Sequence, residues 1–287
     1  MSTNADPFSL NRNERWMAHG VLALLCLPFL MPLLWMVITS LKSDSDIFTG
    51  TRAFSLKSLL PWPLHWQNYP DALAHVPFGV YLRNTVMLCA FNVAGSLLSS
   101  ATVAYGFAKM KFPGRELFFW LMISTMALPA QVTMVPIFAL FKYLGWTGTY
   151  LPLIVPAFFG SPFFIFLLRQ FFMAIPEEIA EAGRIDGAGE WRLFWQLHLP
   201  LSVPALTTCA LFQFLWTWND FFGPLLYLND PSQYTVAYGL QQFLSSYGSM
   251  WGQLMAASTI FALPVILLFF MAQKAFIEGI STTGAKS

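Results

Sequence analysis

Six stretches of this chain are long and apolar enough to cross a lipid bilayer as helices, and no other feature limits its fold so strongly. The hydrocarbon core of a bilayer is about 30 Å thick and takes about 20 apolar residues of helix to span. Trp16–Leu41, Tyr81–Ala108, Leu117–Phe141, Tyr150–Leu168, Val203–Leu228 and Leu254–Phe276 answer to that length. Transmembrane barrel strands would be much shorter and would alternate in polarity, so the spans read as helices. Only 10% of the 287 residues are charged, where a water-soluble domain carries about 25%. So few charges leave lipid as the outer solvent. The expectation is an all-α polytopic membrane protein with six transmembrane helices.

Arg12 and Arg15 precede the first apolar stretch. That stretch exceeds the roughly 7–15 residues of a signal-peptide core, and no A-x-A site follows it. It reads as a retained first helix over residues 16–41, after an N-terminal segment of residues 1–15. Lysine and arginine then set the orientation. With the N-terminus inside, Arg12, Arg15, Lys109, Lys111, Arg115, Arg169, Arg184, Arg192, Lys274 and Lys286 face the cytoplasm. Lys42, Arg52, Lys57, Arg83 and Lys142 face out, ten against five. Both termini are therefore expected in the cytoplasm, including a tail over residues 277–287.

Several functions find no support in the residues. A net charge of +1 offers no basic face for nucleic acid. Cys26, Cys89 and Cys209 sit apart in apolar runs, and His19, His65, His75 and His198 have no metal-ligand spacing. There is no G-x-x-x-x-G-K-[ST] phosphate loop. No Ser–His, paired-Asp or HExxH arrangement stands at membrane depth. The chain reads as a non-enzyme without a metal or cofactor of its own.

Prolines interrupt nearly every span: Pro28, Pro32, Pro129, Pro136, Pro152, Pro156, Pro162, Pro204, Pro224 and Pro264. Each frees a backbone carbonyl and allows a kink. The first outside loop, residues 42–80, carries Leu64-His65-Trp66-Gln67-Asn68-Tyr69-Pro70. This mixture of aromatics and turn residues suits either the membrane interface or an external partner.

The charge-dense inside loop, residues 169–200, holds the most information. Pro176 followed by Glu177 and Glu178 marks a helix start, because proline fits the first turn and acids complement the positive end of the dipole. Asp186-Gly187 marks a turn. A second amphipathic segment runs from Glu190 to Leu197, anchored by Trp191, Phe194 and Trp195, and Leu199-Pro200 ends it. Two short helices joined at a bend should lie against the membrane.

The exact residues narrow this further. Glu181-Ala182-Gly183, three residues, Gly187, nine residues, Leu197, one residue and Leu199-Pro200 resemble the EAA loop of binding-protein-dependent ABC importer permeases. Gly183 stands where that family usually has alanine and Leu197 where it usually has isoleucine. Tyr105-Gly106-Phe107-Ala108, Phe112-Pro113-Gly114-Arg115, Arg184-Ile185-Asp186-Gly187-Ala188, Trp218-Asn219-Asp220 and the ending Phe276-Ile277-Glu278-Gly279 are similar to the MalG-type subfamily. That subfamily handles carbohydrates and related polyol or glycerophosphate compounds.

The resemblance implies a MetI-like permease core over residues 81–276, in a bacterial cell (inner) membrane. It implies a second permease subunit, commonly a different MalF-type chain, two cytoplasmic ATPase subunits that carry ATP and magnesium, and an external substrate-binding protein. It makes Glu181, Ala182, Gly183, Asp186, Gly187, Leu197, Leu199 and Pro200 an ATPase-coupling loop. Glu181 would anchor it, and Gly187 would give the bend.

Asn219 and Asp220 stand inside the fifth span beside Trp216 and Trp218. Polar groups at membrane depth are costly and usually face a cavity or a partner. Aromatics beside hydrogen-bonding groups suit a sugar, with its apolar ring faces and hydroxyl edges. Trp216, Trp218, Asn219, Asp220 and, more weakly, Gln131 with Thr133 are therefore candidates for a translocation path. The alternative is a polar pair between helices, or a span that ends early. Two other functional readings stay open from the residues: an ion-gradient-driven transporter, and a non-transporting assembly subunit.

Overall fold

The computed structural model describes residues 11–49, 61–245 and 248–284. Residues 1–10 of the N-terminal segment, residues 50–60 of the outside loop with Arg52 and Lys57, and residues 285–287 of the tail with Lys286 lie outside the described residues. Among the described residues the chain is helical apart from a two-residue strand pair, Leu244–Ser245 against Gly248–Ser249.

The helices are α1 (Arg12–Ser40), α2 (Asp44–Thr49), α3 (Asn68–His75), α4 (Phe78–Lys109), α5 (Arg115–Ser124), α6 (Ala130–Tyr143), α7 (Leu151–Ile154), α8 (Pro162–Ala174), α9 (Glu177–Ile185), α10 (Glu190–Leu193), α11 (Leu199–Leu201), α12 (Val203–Trp218), α13 (Phe222–Tyr227), α14 (Val236–Gly239) and α15 (Trp251–Gly284). Four helical stretches are long and apolar enough to cross a membrane, and up to six if each of two bent pairs is one span. The four are α1, α4, Leu151–Ala174 and Trp251–Gln273.

The third expected span, Leu117–Phe141, is not one straight helix. Arg115–Ala127 meets Ala130–Tyr143 at 101°, and Pro129 stands at the break with an extended backbone. A proline in that position removes a helical donor and biases the residue before it away from helix. The fifth expected span, Val203–Leu228, is helical to Trp218 and opens at Asn219 and Asp220 before α13 resumes.

One compact unit joins the chain up to His75 with residues Phe243–Phe261. Asn11 opens α1 with a reciprocal cap, its side chain and that of Glu14 each taking a backbone donor. At the other end the carbonyls that α1 leaves unpaired are met by later residues. His65 N donates to Leu41 O at 2.9 Å, and Asn68 Nδ2 donates to Ser40 O and Lys42 O at 2.8 Å each. Tyr69 Oη lies 2.8 Å from Ser40 Oγ. Asp44 accepts from Gly252 N at 2.8 Å and so caps the start of α15.

The other unit, Val76–Gln242 with the chain from Ala262 onward, is organised around α4, which packs along α8 and α12. Small residues on α4 make the approach close, as is usual between membrane helices. A side chain at Gly95 would meet the Phe158 ring at 2.7 Å. Ser100 Oγ accepts from Ser161 N at 3.0 Å, and Ser99 Oγ donates to Ala157 O at 3.1 Å. Below these polar contacts Ala101, Ala104, Tyr105, Phe164, Leu168, Phe172, Phe194 and Cys209 form a continuous buried core.

Candidate functional site

The charged hairpin follows α8. Pro176 precedes α9, and Glu177 and Glu178 occupy its first turn. Gly187 takes φ +82° just after the helix, a left-handed value that costs glycine nothing. α10 then starts at Glu190 and returns. The two arms lie so close that a methyl group on Gly183 would stand 2.6 Å from Leu193 Cδ2. The alanine usual at that position in the resembled loop would therefore displace the buried Leu193.

The returning arm differs from expectation at its end. Helical backbone does not stop at Leu199-Pro200. It passes through a π-helical turn, Phe194–His198, and continues to Leu201. Only there does it bend by 78° into α12. A π turn holds one residue more than an α turn and often marks a functional site. Proline in the first turn of α11 sacrifices no needed donor, which is why Pro200 fails to end the segment. His198 is fully buried, with Nδ1 3.1 Å from Leu193 O. Its Nε2 and the Oγ of buried Ser202 have no partner among the described residues.

Five side chains tie the hairpin to the end of α4. Tyr105 Oη donates to Glu190 Oε2 at 2.7 Å. Arg184 Nε donates to Glu190 Oε1 at 3.0 Å and its Nη1 to Glu177 Oε1 at 2.9 Å. Lys109 Nζ donates to Glu177 Oε2 at 3.1 Å and to Ile175 O at 2.9 Å. The Arg184 guanidinium and then the Lys109 ammonium hold the Glu177 carboxyl below the usual carboxylate range. Two carboxylates in turn hold the Arg184 proton more tightly. Nearby, Arg169 lies over the Phe119 ring at 4.0 Å and within 3.6 Å of Glu116, a cation on an aromatic face.

Glu181 stands apart from this relay. Its side chain is exposed, makes no hydrogen bond or ion pair with the described residues, and lines a cleft of about 550 Å³ with Lys109, Lys111 and Arg115 and with the relay residues Glu177, Arg184 and Glu190. Ala182, Asp186 and Gly187 are also exposed on the hairpin. Leu197 and Leu199 are partly buried, and Pro200 is exposed. The coupling-loop candidates are thus divided between exposed positions and positions turned partly inward, with Gly183 against Leu193 and Leu199 against the core.

The path candidates separate. Trp216 and Asp220 line a cavity of about 260 Å³ together with Asn92, Gln213, Thr217 and Thr235. Trp216 stacks one face on Phe164 at 5.0 Å. Asp220 accepts from Gly223 N at 2.9 Å, and any side chain at Gly223 would collide with its carboxylate and with Leu153. Trp218 is buried and stacked on Phe214. Asn219 is exposed and donates to Leu215 O at the end of its own helix. Gln131 is exposed on α6, and Thr133 donates to Ala130 O on the same helix. Neither lines the cavity.

Tyr105, Lys109, Asn92, Gln213 and Thr217 are the residues that reading the sequence left without a role. One signal for the first two was available. They stand four apart, hence on one face of a helix end, next to a loop rich in acids.

The chain is similar to known proteins over most of its length. The pattern of binding-protein-dependent transport system inner membrane components matches residues 92–282. The diacetylchitobiose uptake system permease protein NgcG of Streptomyces coelicolor is 32% identical over 95% of this chain and 89% of its own length. The sn-glycerol-3-phosphate transport system permease protein UgpE of Yersinia pestis is 32% identical over 91% of this chain and 94% of its own. A chain from the crystal structure of a bacterial ABC transporter involved in the import of the acidic polysaccharide alginate shares the fold. The TM-score is 0.78 and the identity 24%, over 93% of this chain and 99% of that one.

Proposed function

Because the chain belongs to the family of binding-protein-dependent transport system inner membrane components, and so is a multi-pass permease subunit of an ABC importer, we propose that its charged hairpin is where a cytoplasmic ATPase drives it. Six crossings leave both termini in the cytoplasm of a bacterial inner membrane, with the arm Glu190–Leu201 outside the crossing that α12 begins. A second, MalF-type permease completes the pathway. Two copies of the ATPase bind ATP and magnesium, and an external binding protein delivers the cargo. That cargo is a sugar or a related polyol or glycerophosphate compound, the kinds of compound that the names of the two relatives carry.

The observation that carries this reading is the contrast within the hairpin. Glu177 and Glu190 bond to α4 and Arg184 links the two, while the Glu181 side chain stays exposed and unpaired among the described residues. A carboxylate held out on a firmly tethered helix is a docking group for a basic or amide partner. Movement of the docked ATPase then reaches α4 through Tyr105 and Lys109. The cavity around Trp216 and Asp220 is the part of the pathway contributed by this subunit. Its ring face and its amide, hydroxyl and carboxylate groups suit a polyhydroxyl cargo.

The test is Glu181→Ala in the reconstituted assembly. Membrane insertion and copurification with the second permease are expected to persist. ATP-driven uptake is expected to fall to background while ATP hydrolysis continues. Uptake at the unaltered rate removes the docking role from this loop.

A further inference from the structure

A short stretch of the first unit carries large apolar side chains that remain exposed among the described residues. Trp62 is 86% exposed, Leu64 42% and Trp66 62%. The segment Pro61-Trp62-Pro63-Leu64-His65-Trp66-Gln67 contains no lysine, arginine, aspartate or glutamate. Exposed tryptophans in such number would be unusual on a surface bathed only by water.

Their level relative to the bilayer is fixed by two helix ends. His65 N is bonded to Leu41 O, and Asn68 to Ser40 O and Lys42 O, so the segment is fastened to the last turn of α1. Asp44, two residues beyond Lys42, caps the start of α15 at Gly252. Gly252 lies so close that a methyl group there would stand 2.7 Å from Asn68 Nδ2 and 2.9 Å from Lys42 O. Both α1 and the first part of α15 are apolar enough to cross a membrane. The place where one ends and the other begins is a membrane surface, whichever side of the cell it faces. Lys42 Nζ sits 5.7 Å from the centre of the Trp35 ring at the same end of α1.

We infer that Trp62, Leu64 and Trp66 form an interfacial anchor that inserts into the headgroup layer of the lipid bilayer around the outer ends of α1 and α15. Tryptophan favours that layer because its ring is amphipathic and its indole N–H finds partners there. The backbone of the segment needs no lipid partner for His65 N, which α1 already satisfies. The anchor continues the lipid-facing surface of α1, whose apolar side chains are exposed along the helix, Phe29 at 84% among them. This inference requires only a multi-pass protein and stands independently of ATPase docking or cargo.

The test uses the full chain with its copurifying subunits in vesicles of phosphatidylethanolamine and phosphatidylglycerol. The acyl chains are brominated either near the headgroup or near the terminal methyl. Tryptophan emission is compared between the unaltered protein and Trp62→Phe/Trp66→Phe, and separately Trp62→Phe and Trp66→Phe in case the double variant is not recovered. The emission removed by these substitutions is expected to be quenched by bromines near the headgroup. It should be quenched less by bromines near the methyl end and little by aqueous iodide. Quenching by iodide without quenching by either lipid overturns the inference. So does shielding from iodide that appears only when the external binding protein is added, which would make the segment a protein-docking surface. A spin label on Leu64→Cys gives an independent depth, and a label freely accessible to a water-soluble nickel chelate would likewise overturn it.

Discussion

The hairpin and the cavity around Asp220 both concentrate polar groups in an apolar chain, but they partner them differently. In the hairpin, each member of the relay bonds across elements, from α9 to α10 and from both to α4. In the cavity, partners are local. Asn92 bonds to Leu88 on its own helix, Gln213 to Thr217, and Asp220 to Gly223. Single exposed ion pairs are worth about 0–1 kcal/mol, so the relay is a weak source of stability taken pair by pair. Its value lies in orientation, because it fixes two arms and a helix end in one geometry. The cavity's local bonds leave remaining lone pairs and donors unused by other elements. On the proposed reading, one region keeps its partners and the other exchanges them.

Reversing the central charge breaks this contrast most severely. Arg184→Glu would place three carboxylates together, and ATP-driven uptake is expected to be lost while the protein remains in the membrane. Pairing it with Glu177→Arg should restore part of the uptake. Uptake near the original rate in the single variant would show that the relay does not position the hairpin. The effect of Asp220→Asn is smaller and of another kind. Hydrogen bonds to a charged group are worth about 1.5–3 kcal/mol, and about 1.4 kcal/mol is tenfold in rate. Uptake should slow by about tenfold or more, with the hairpin's copurifying partner retained and hydrolysis still stimulated. Loss of that partner instead would mean that the two regions are not separate.

Acid gives the smallest effect. The Glu177 carboxyl is held below its ordinary value of 4.5 by Arg184 and then Lys109. A lowered folded value means that its contribution is present in full above the ordinary range. It is lost as the pH falls from there through the lowered value. The melting temperature should therefore decline on acidification more steeply than in Glu177→Gln, and the two should converge once the carboxyl is protonated. Equal slopes would show that Glu177 gains nothing from its partners. Screening of so exposed a group limits the difference to a few degrees at most.

What could be read from the sequence follows the range of the forces involved. Pro176, the paired acids behind it and Gly187 act within one turn of chain, and the hairpin they specify is found where they stand. The relay joins residues 85 and 68 positions apart, and no local periodicity records such a pairing. Pro129 announced an interruption, but not the 101° turn at that point. Phe194–His198 has the composition of an ordinary amphipathic helix, so its π turn was not legible. The cavity was half visible. Trp216 and Asp220 share a segment, whereas Asn92 arrives from α4 by folding alone.

Besides its chain link to α8, the hairpin has two connections to the rest of its unit, and they are built differently. Toward α4 it is braced by charged and hydroxyl groups at several points. Toward α12 it continues through a π turn containing a buried imidazole nitrogen, with a buried unpaired hydroxyl at Ser202 just before the 78° bend. On the proposed docking role, the first connection would serve as a strut and the second as a compliant joint, so that a push on Glu181 would be delivered to α4 and absorbed as bending ahead of α12.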